Sequence, residues 1–176
     1  NLDLEGNTAL IDLDLSNNTA LTDLSVYNTA LTSLNVSNTA ITGSNLRVDL
    51  VLLLEDLNIS NTELSNLDFS QNTALTGLNV SNTTMLTDLD ISQNTALATL
   101  NVSNSVLETL NISNTLNLTS VDFSTAAALT VLLAGNSGLS TLDLSTNTAL
   151  TNLDLEGNTA LIDLDLSNNT ALTDLS

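Results

Sequence analysis

The side chains best equipped for chemistry in this sequence are carboxylates spaced two residues apart: Asp12 with Asp14, Asp88 with Asp90, and Asp163 with Asp165. On an extended strand that spacing places both groups on one face. Two carboxylates can act as acid and base in glycoside cleavage, but the reaction needs a cleft, stacking aromatics and unlike environments that split their pKa values. A regular outward pattern supplies none of these, and the only aromatic residues are Tyr27, Phe69 and Phe123. His, Lys and Cys are absent, which removes the usual general bases, amine and thiol nucleophiles and soft metal ligands. The expectation is a protein that is not an enzyme and needs no cofactor. The same six aspartates are the candidates for Ca²⁺, whose hard charge would relieve their mutual repulsion. Solvated surface charge is the simpler account of them, since no dense Gly-Asp loop accompanies them.

What positions these residues is a phrase of 10 or 11 residues, x-L-x-L-S-x-N-T-A-L-T, that returns along nearly the whole chain. Full copies begin at Asp12, Asn66, Asp88 and Thr141, and a copy one residue shorter runs over residues 33–42. The L-x-L triplet alternates apolar and polar, as a very short strand with one buried face does. Such a strand is unstable alone. Stacked in parallel at about 4.8 Å, successive strands complete one another's hydrogen bonds.

These phrases resemble the leucine-rich repeat family, in particular its nested bacterial subclass, in which both halves of a 21-residue unit carry L-x-x-L-x-L-x-x-N. The resemblance implies an all-β solenoid, a right-handed superhelix of about eight coils with short parallel strands and little or no helix. It also implies an inward ladder in which the consensus Asn satisfies backbone groups at the turn. The positions assigned to it are Asn7, Asn18, Asn28, Asn38, Asn61, Asn72, Asn94, Asn104, Asn136, Asn147, Asn158 and Asn169, with Thr83, Thr115 and Ala126 as interruptions.

With two phrases per coil, two strand faces form. One reads Asp14, Asn35, Asn58, Asn79, Asn101, Asp122, Asp143, Asp165; the other reads Asp3, Ser25, Arg47, Asp68, Asp90, Asn111, Leu133, Asp154. Asn35, Asn58, Asn79 and Asn101 also fit the glycosylation sequon, but on adjacent rungs a stacked amide ladder accounts for them better than glycans. Asn17 and Asn168, in turns, are the more plausible acceptors. Residues 43–56 depart from the phrase and are expected to form an irregular coil or bulge. Residues that could contact a partner are Tyr27, Arg47, Leu50, Leu52, Val131 and Leu133.

The net charge of −19, with Arg47 the single cation against 20 acidic residues, excludes nucleic acid and anionic lipid as partners. No apolar run is long enough to insert into a membrane. Residues 152–176 repeat residues 1–25 without a change, while the phrases between have drifted. Residues 1–151 therefore read as one superrepeat and 152–176 as the start of the next. The whole of 1–176 reads as a single solenoid segment without capping repeats, a window on a longer tandem array. The expected role is structural, in an extracellular fibre or at a cell surface, through self-association or covalent continuation. The alternative is an adhesin or binding solenoid for a protein or glycan; ice binding is a lesser one, because the outward columns mix Ser with Asp and Asn.

Overall fold

Three residues suffice for a strand when an identical neighbour lies on each side. The computed structural model describes residues 1–176 as short parallel strands with no helix, stacked as a solenoid of about eight turns with a period near 21 residues. Every second phrase contributes to the same sheet. On one side Asp12–Asp14, Ser33–Asn35, Asp56–Asn58, Gly77–Asn79, Thr99–Asn101 and Val121–Asp122 form a six-stranded sheet. On the other, Leu2–Asp3, Leu24–Ser25 and Leu46–Arg47 form a three-stranded sheet. A five-stranded sheet of Asp88–Asp90, Thr109–Asn111, Val131–Leu133, Asn152–Asp154 and Asp174–Leu175 continues that side.

Register is in phase, because each leucine faces its counterpart: Leu34 pairs with Leu57, Leu57 with Leu78, and Leu78 with Leu100. These leucines sit between the two sides in one core of 35 buried residues, which also takes in Phe69 and Phe123. The strands are x-L-x, not the L-x-L read from the sequence. The N–H of the second apolar residue still donates to the next coil, as Leu15 does to Asn35 and Val36 to Asn58, and the chain turns after it, where the outward Asp or Asn side chain accepts the backbone N–H two residues on.

Residues 43–56 are more regular than their sequence suggests. Thr42–Gly43 pairs with Glu63–Leu64, and Leu46–Arg47 continues the sheet from Leu24–Ser25. Val48, Val51 and Leu54 then enter the core, leaving Leu50, Leu52 and Leu53 exposed at 38%, 53% and 57%. The expected bulge is thus an ordinary phrase from Leu46 onward, preceded by two extra residues. Its five consecutive aliphatics hide the usual in-and-out pattern.

Turns after the strands use two backbone forms. Asn17, Asn28, Asn38, Asn61, Asn82, Asn104, Asn114 and Asn136 adopt positive φ, as do Gly6 and Gly157. Asn and Gly tolerate this left-handed region best. Thr125 adopts it too, at φ 56°, although a β-branched side chain is strained there.

Candidate functional site

Buried at the turns lies the ladder, and only some of the assigned asparagines belong to it. Asn72 donates to the carbonyls of Val48 and Val51, and Asn94 to those of Phe69 and Asn72. Asn147 donates to Ala126, and Asn169 to Leu144 and Asn147. Asn158, half-buried, donates to Ala134 and Leu155. Asn7 and Asn18 donate within their own turns, to Leu4 and Leu15, and are exposed.

The assignments at Asn28, Asn38, Asn61, Asn104 and Asn136 are corrected. All five are exposed and occupy the positive-φ position one residue early. The inward place is taken by the next residue: Thr29, Thr39, Thr62, Ser105 and Ser137. The Thr29, Thr39 and Thr62 hydroxyls donate to the carbonyls of Val26, Val36 and Ile59, three residues back. Thr83 and Thr115 do likewise, so they belong to a Thr ladder and are not interruptions. A threonine closes its own turn, whereas an asparagine reaches the coil before it.

Ala126 is a true gap. The buried Ser105 hydroxyl in the coil before it has no partner, whereas Asn147 in the coil after it still donates to the Ala126 carbonyl. The turns of the four most deeply buried asparagines, those after Gln71, Gln93, Thr146 and Asn168, avoid positive φ. Ala126→Asn should therefore restore ladder donation and let Thr125 leave its strained conformation, as Thr146 does in the related turn. The expected gain is about 1–2 kcal/mol in urea denaturation.

Both strand faces carry a row of side chains that cap the turns. Asp14, Asp122, Asp143 and Asp165 accept the N–H of Ser16, Ser124, Ser145 and Ser167, and Asp68 and Asp90 that of Ser70 and Ser92. Asn35, Asn58, Asn79 and Asn101 accept the N–H of Ser37, Ser60, Ser81 and Ser103. These four do not bond to one another, which corrects the expected amide ladder: their oxygens serve the turn, and the Asn35 side chain also reaches the Asp14 carboxylate. They line a shallow groove with Ser33, Asp56, Gly77 and Thr99. A Cβ at Gly77 would collide with the Asp56 carboxylate that leans across it.

Hydrogen bonds from the following serine hold the carboxyl groups of Asp14, Asp68, Asp122, Asp143 and Asp165 below the usual carboxylate range. Asp143 pushes the other way on Asp165, as a minor opposing effect. Since the folded value is depressed, the stabilising effect is present above the unfolded carboxylate pKa of about 4 and is lost as pH falls through the folded value. Relief of the −19 charge on acidification would act oppositely. At these five sites the turn bonds outweigh it, so stability should fall below about pH 4. The fivefold Asp→Asn variant keeps the turn acceptors and should show a flatter acid limb in thermal melts.

The aspartates proposed for Ca²⁺ remain as separate pairs. Asp12, Asp88 and Asp163 flank their partners on exposed surface, and nowhere do three or more carboxylates converge on a common point. Arg47 lies 3.7 Å from its own neighbour Asp49, both exposed. Tyr27, Val131 and Leu133 are half-buried. Asn17 and Asn168 are exposed, the latter donating to the Ser145 carbonyl at 3.4 Å.

Stacked short parallel strands, a leucine core and inward turn ladders define a leucine-rich-repeat solenoid, and the solved structures that resemble the chain are leucine-rich-repeat proteins. The functional domain of InlJ from Listeria monocytogenes, which includes a cysteine ladder, is 34% identical with a TM-score of 0.57, covering 97% of this chain and 35% of that one. The leucine-rich-repeat protein LIC12759 of Leptospira interrogans is 20% identical with a TM-score of 0.60, covering 95% of this chain and 49% of that one. Internalin C2 of Listeria monocytogenes is 20% identical with a TM-score of 0.55, covering 94% and 79%. The chain thus spans about a third of the InlJ domain and half of the Leptospira protein. No protein-family model and no curated protein matches the sequence. The chain itself has no cysteine; its ladders are built of Asn, Thr and Ser. No helix is long and apolar enough to cross a membrane.

Proposed function

We propose that this chain is a length of a non-enzymatic, rod-like scaffold of an extracellular fibre or cell surface, in which successive superrepeats join without a linker. The observation that carries this reading is the seam between residues 151 and 152. Val131–Leu133 pairs directly with Asn152–Asp154, Leu153 is fully buried, and Asn158 donates across the seam to Ala134. The offset of 151 residues spans an even number of phrases, so each face continues in phase from one copy to the next. Rigid length then follows from repetition, and acidic sides discourage random bundling.

Extending the chain by one and by two further superrepeats tests the reading by small-angle X-ray scattering. A continuous rod should lengthen by about 34 Å per added copy, seven coils at the usual strand spacing. Irregular increments with the scattering of a flexible chain of beads would overturn it. A binding role on the amide-lined face is the second reading, favoured by the uncharged row of Asn35, Asn58, Asn79 and Asn101 in an otherwise acidic surface.

A further inference from the structure

Along one edge of the solenoid, four successive turns are built alike. Residues 48–54, 69–75, 91–97 and 112–118 each close with two backbone bonds, the middle residue donating to the first and the last to the middle, as Asn72 does to Phe69 and Leu75 to Asn72. The turns before and after them, residues 26–31 and 134–139, are one residue shorter and lack the second bond. Both kinds begin and end on a buried apolar side chain, so the extra residue is pushed outward. The edge is therefore a raised plateau over these four coils, stepped down on either side. The opposite edge has no such plateau, because its long turn 80–86 stands between the short turns 59–64 and 102–107.

This plateau differs from the rest of the surface in charge and in apolar content. Its only charged residue is Asp49, which lies 3.7 Å from Arg47, in a chain with 20 acidic residues. Leu50, Leu52, Leu53 and Leu116 stand on it exposed at 38%, 53%, 57% and 69%. In the position just after the inward residue, the four turns carry Leu52, Thr73, Thr95 and Leu116 in order. That column is the same in both directions. The shorter turns bound it symmetrically as well, with Ala30 before it and Gly138 after it. A surface whose column reverses onto itself is complementary to its own copy about a two-fold axis.

We infer that this edge is where two copies of the chain pair side by side and antiparallel, about an axis between the turns that carry Thr73 and Thr95. Leu52 of each copy then meets Leu116 of the other, Thr73 meets Thr95, and Gln71 meets Gln93. The leucines leave water, and the hydroxyls and amides, which both donate and accept, find partners. Contact through a strand face would instead bring rows of aspartates together. Parallel pairing on the same edge would turn Asp49 of each copy toward Glu55 of the other, whereas antiparallel pairing sets both beside the uncharged residues 112–119. The inference goes beyond the rod reading: it joins solenoids laterally and does not depend on the seam at residues 151 and 152.

Cysteine is absent, so disulfides report the contact directly. In the double variant Leu52→Cys/Leu116→Cys the two positions lie three strand spacings, roughly 14 Å, apart within one chain, too far to bond to each other. Oxidation should give a disulfide-linked dimer, and Leu52→Cys alone should stay unlinked. Unlinked double variant would overturn the inference. Dimers from Leu52→Cys alone would also overturn it, in favour of a parallel pair, as would equal linking through Met85→Cys, 54% exposed on the opposite edge. Sedimentation of the unaltered chain needs no variant to fold. A dimer that becomes a monomer in Leu52→Glu/Leu116→Glu supports the pairing; a monomer at every concentration, or a dimer unchanged in that variant, overturns it. Rod-like growth of the covalent tandem with monomeric sedimentation would leave the scaffold reading standing and remove the pairing alone, and dimers with irregular growth would do the reverse.

Discussion

Asn94→Leu is expected to destabilise the solenoid by about 1–3 kcal/mol, whereas Asn61→Gly should change stability by less than roughly 0.5 kcal/mol. Both residues stand in the same consensus slot when the phrases are aligned by their Asn-Thr pairs. Asn94 is fully buried and donates to the Phe69 and Asn72 carbonyls at 2.9 and 2.8 Å. Leucine has a similar volume, so the loss is mainly of the two donated bonds; the Phe69 and Asn72 carbonyls keep only their backbone partners, the N–H groups of Asn72 and Leu75. Asn61 is exposed at φ 55°, a conformation glycine adopts freely, and the turn there is closed by Thr62 donating to Ile59. Urea denaturation of the two variants separates the cases. Equal losses at both sites would mean that the inward ladder is wrongly placed.

That contrast also marks what could be read without coordinates. The phrase period, the two strand faces and their outward rows follow from hydrophobic spacing, and the observed register joins the residues so grouped: Asp14 with Asn35, Asn35 with Asn58, Asn58 with Asn79. The ladder was harder, because alignment on Asn-Thr mixes two turns. Counting from the strand leucine resolves them: the fifth residue after Leu67 or Leu89 is Asn72 or Asn94, but after Leu34 or Leu57 it is Thr39 or Thr62. Short phrases lose a residue after this inward position, so the visible Asn is the positive-φ residue and the threonine is the one that matters. Residues 50–54 were opaque for a different reason. Where every position is aliphatic, composition carries no signal of which side chain is inside, and only the neighbouring coils select Val51 and Leu54 over Leu52 and Leu53. The use of outward Asp and Asn as turn acceptors had a local signal, the recurrent Ser two residues later, which reads equally well as surface polarity.

Leu132→Asp should have the largest effect, because a solenoid transmits stability only through adjacent coils. Leu132 is fully buried and stands between Leu110 and Leu153, each one coil away. A carboxylate there has no cation within the core to meet, since the single Arg47 lies on the surface far along the stack. The expected loss exceeds about 4 kcal/mol for the coils that depend on this layer. Coils on the Leu34 to Leu100 side keep their own neighbours and need not unfold with it. Hydrogen exchange should therefore show amides of residues 131–176 losing protection while those of residues 33–101 retain it. Uniform loss along the whole chain would instead make the stack one cooperative unit. A split result would place the weakest coupling at the layer on which the second superrepeat is seated, where a rod made of many copies must also hold.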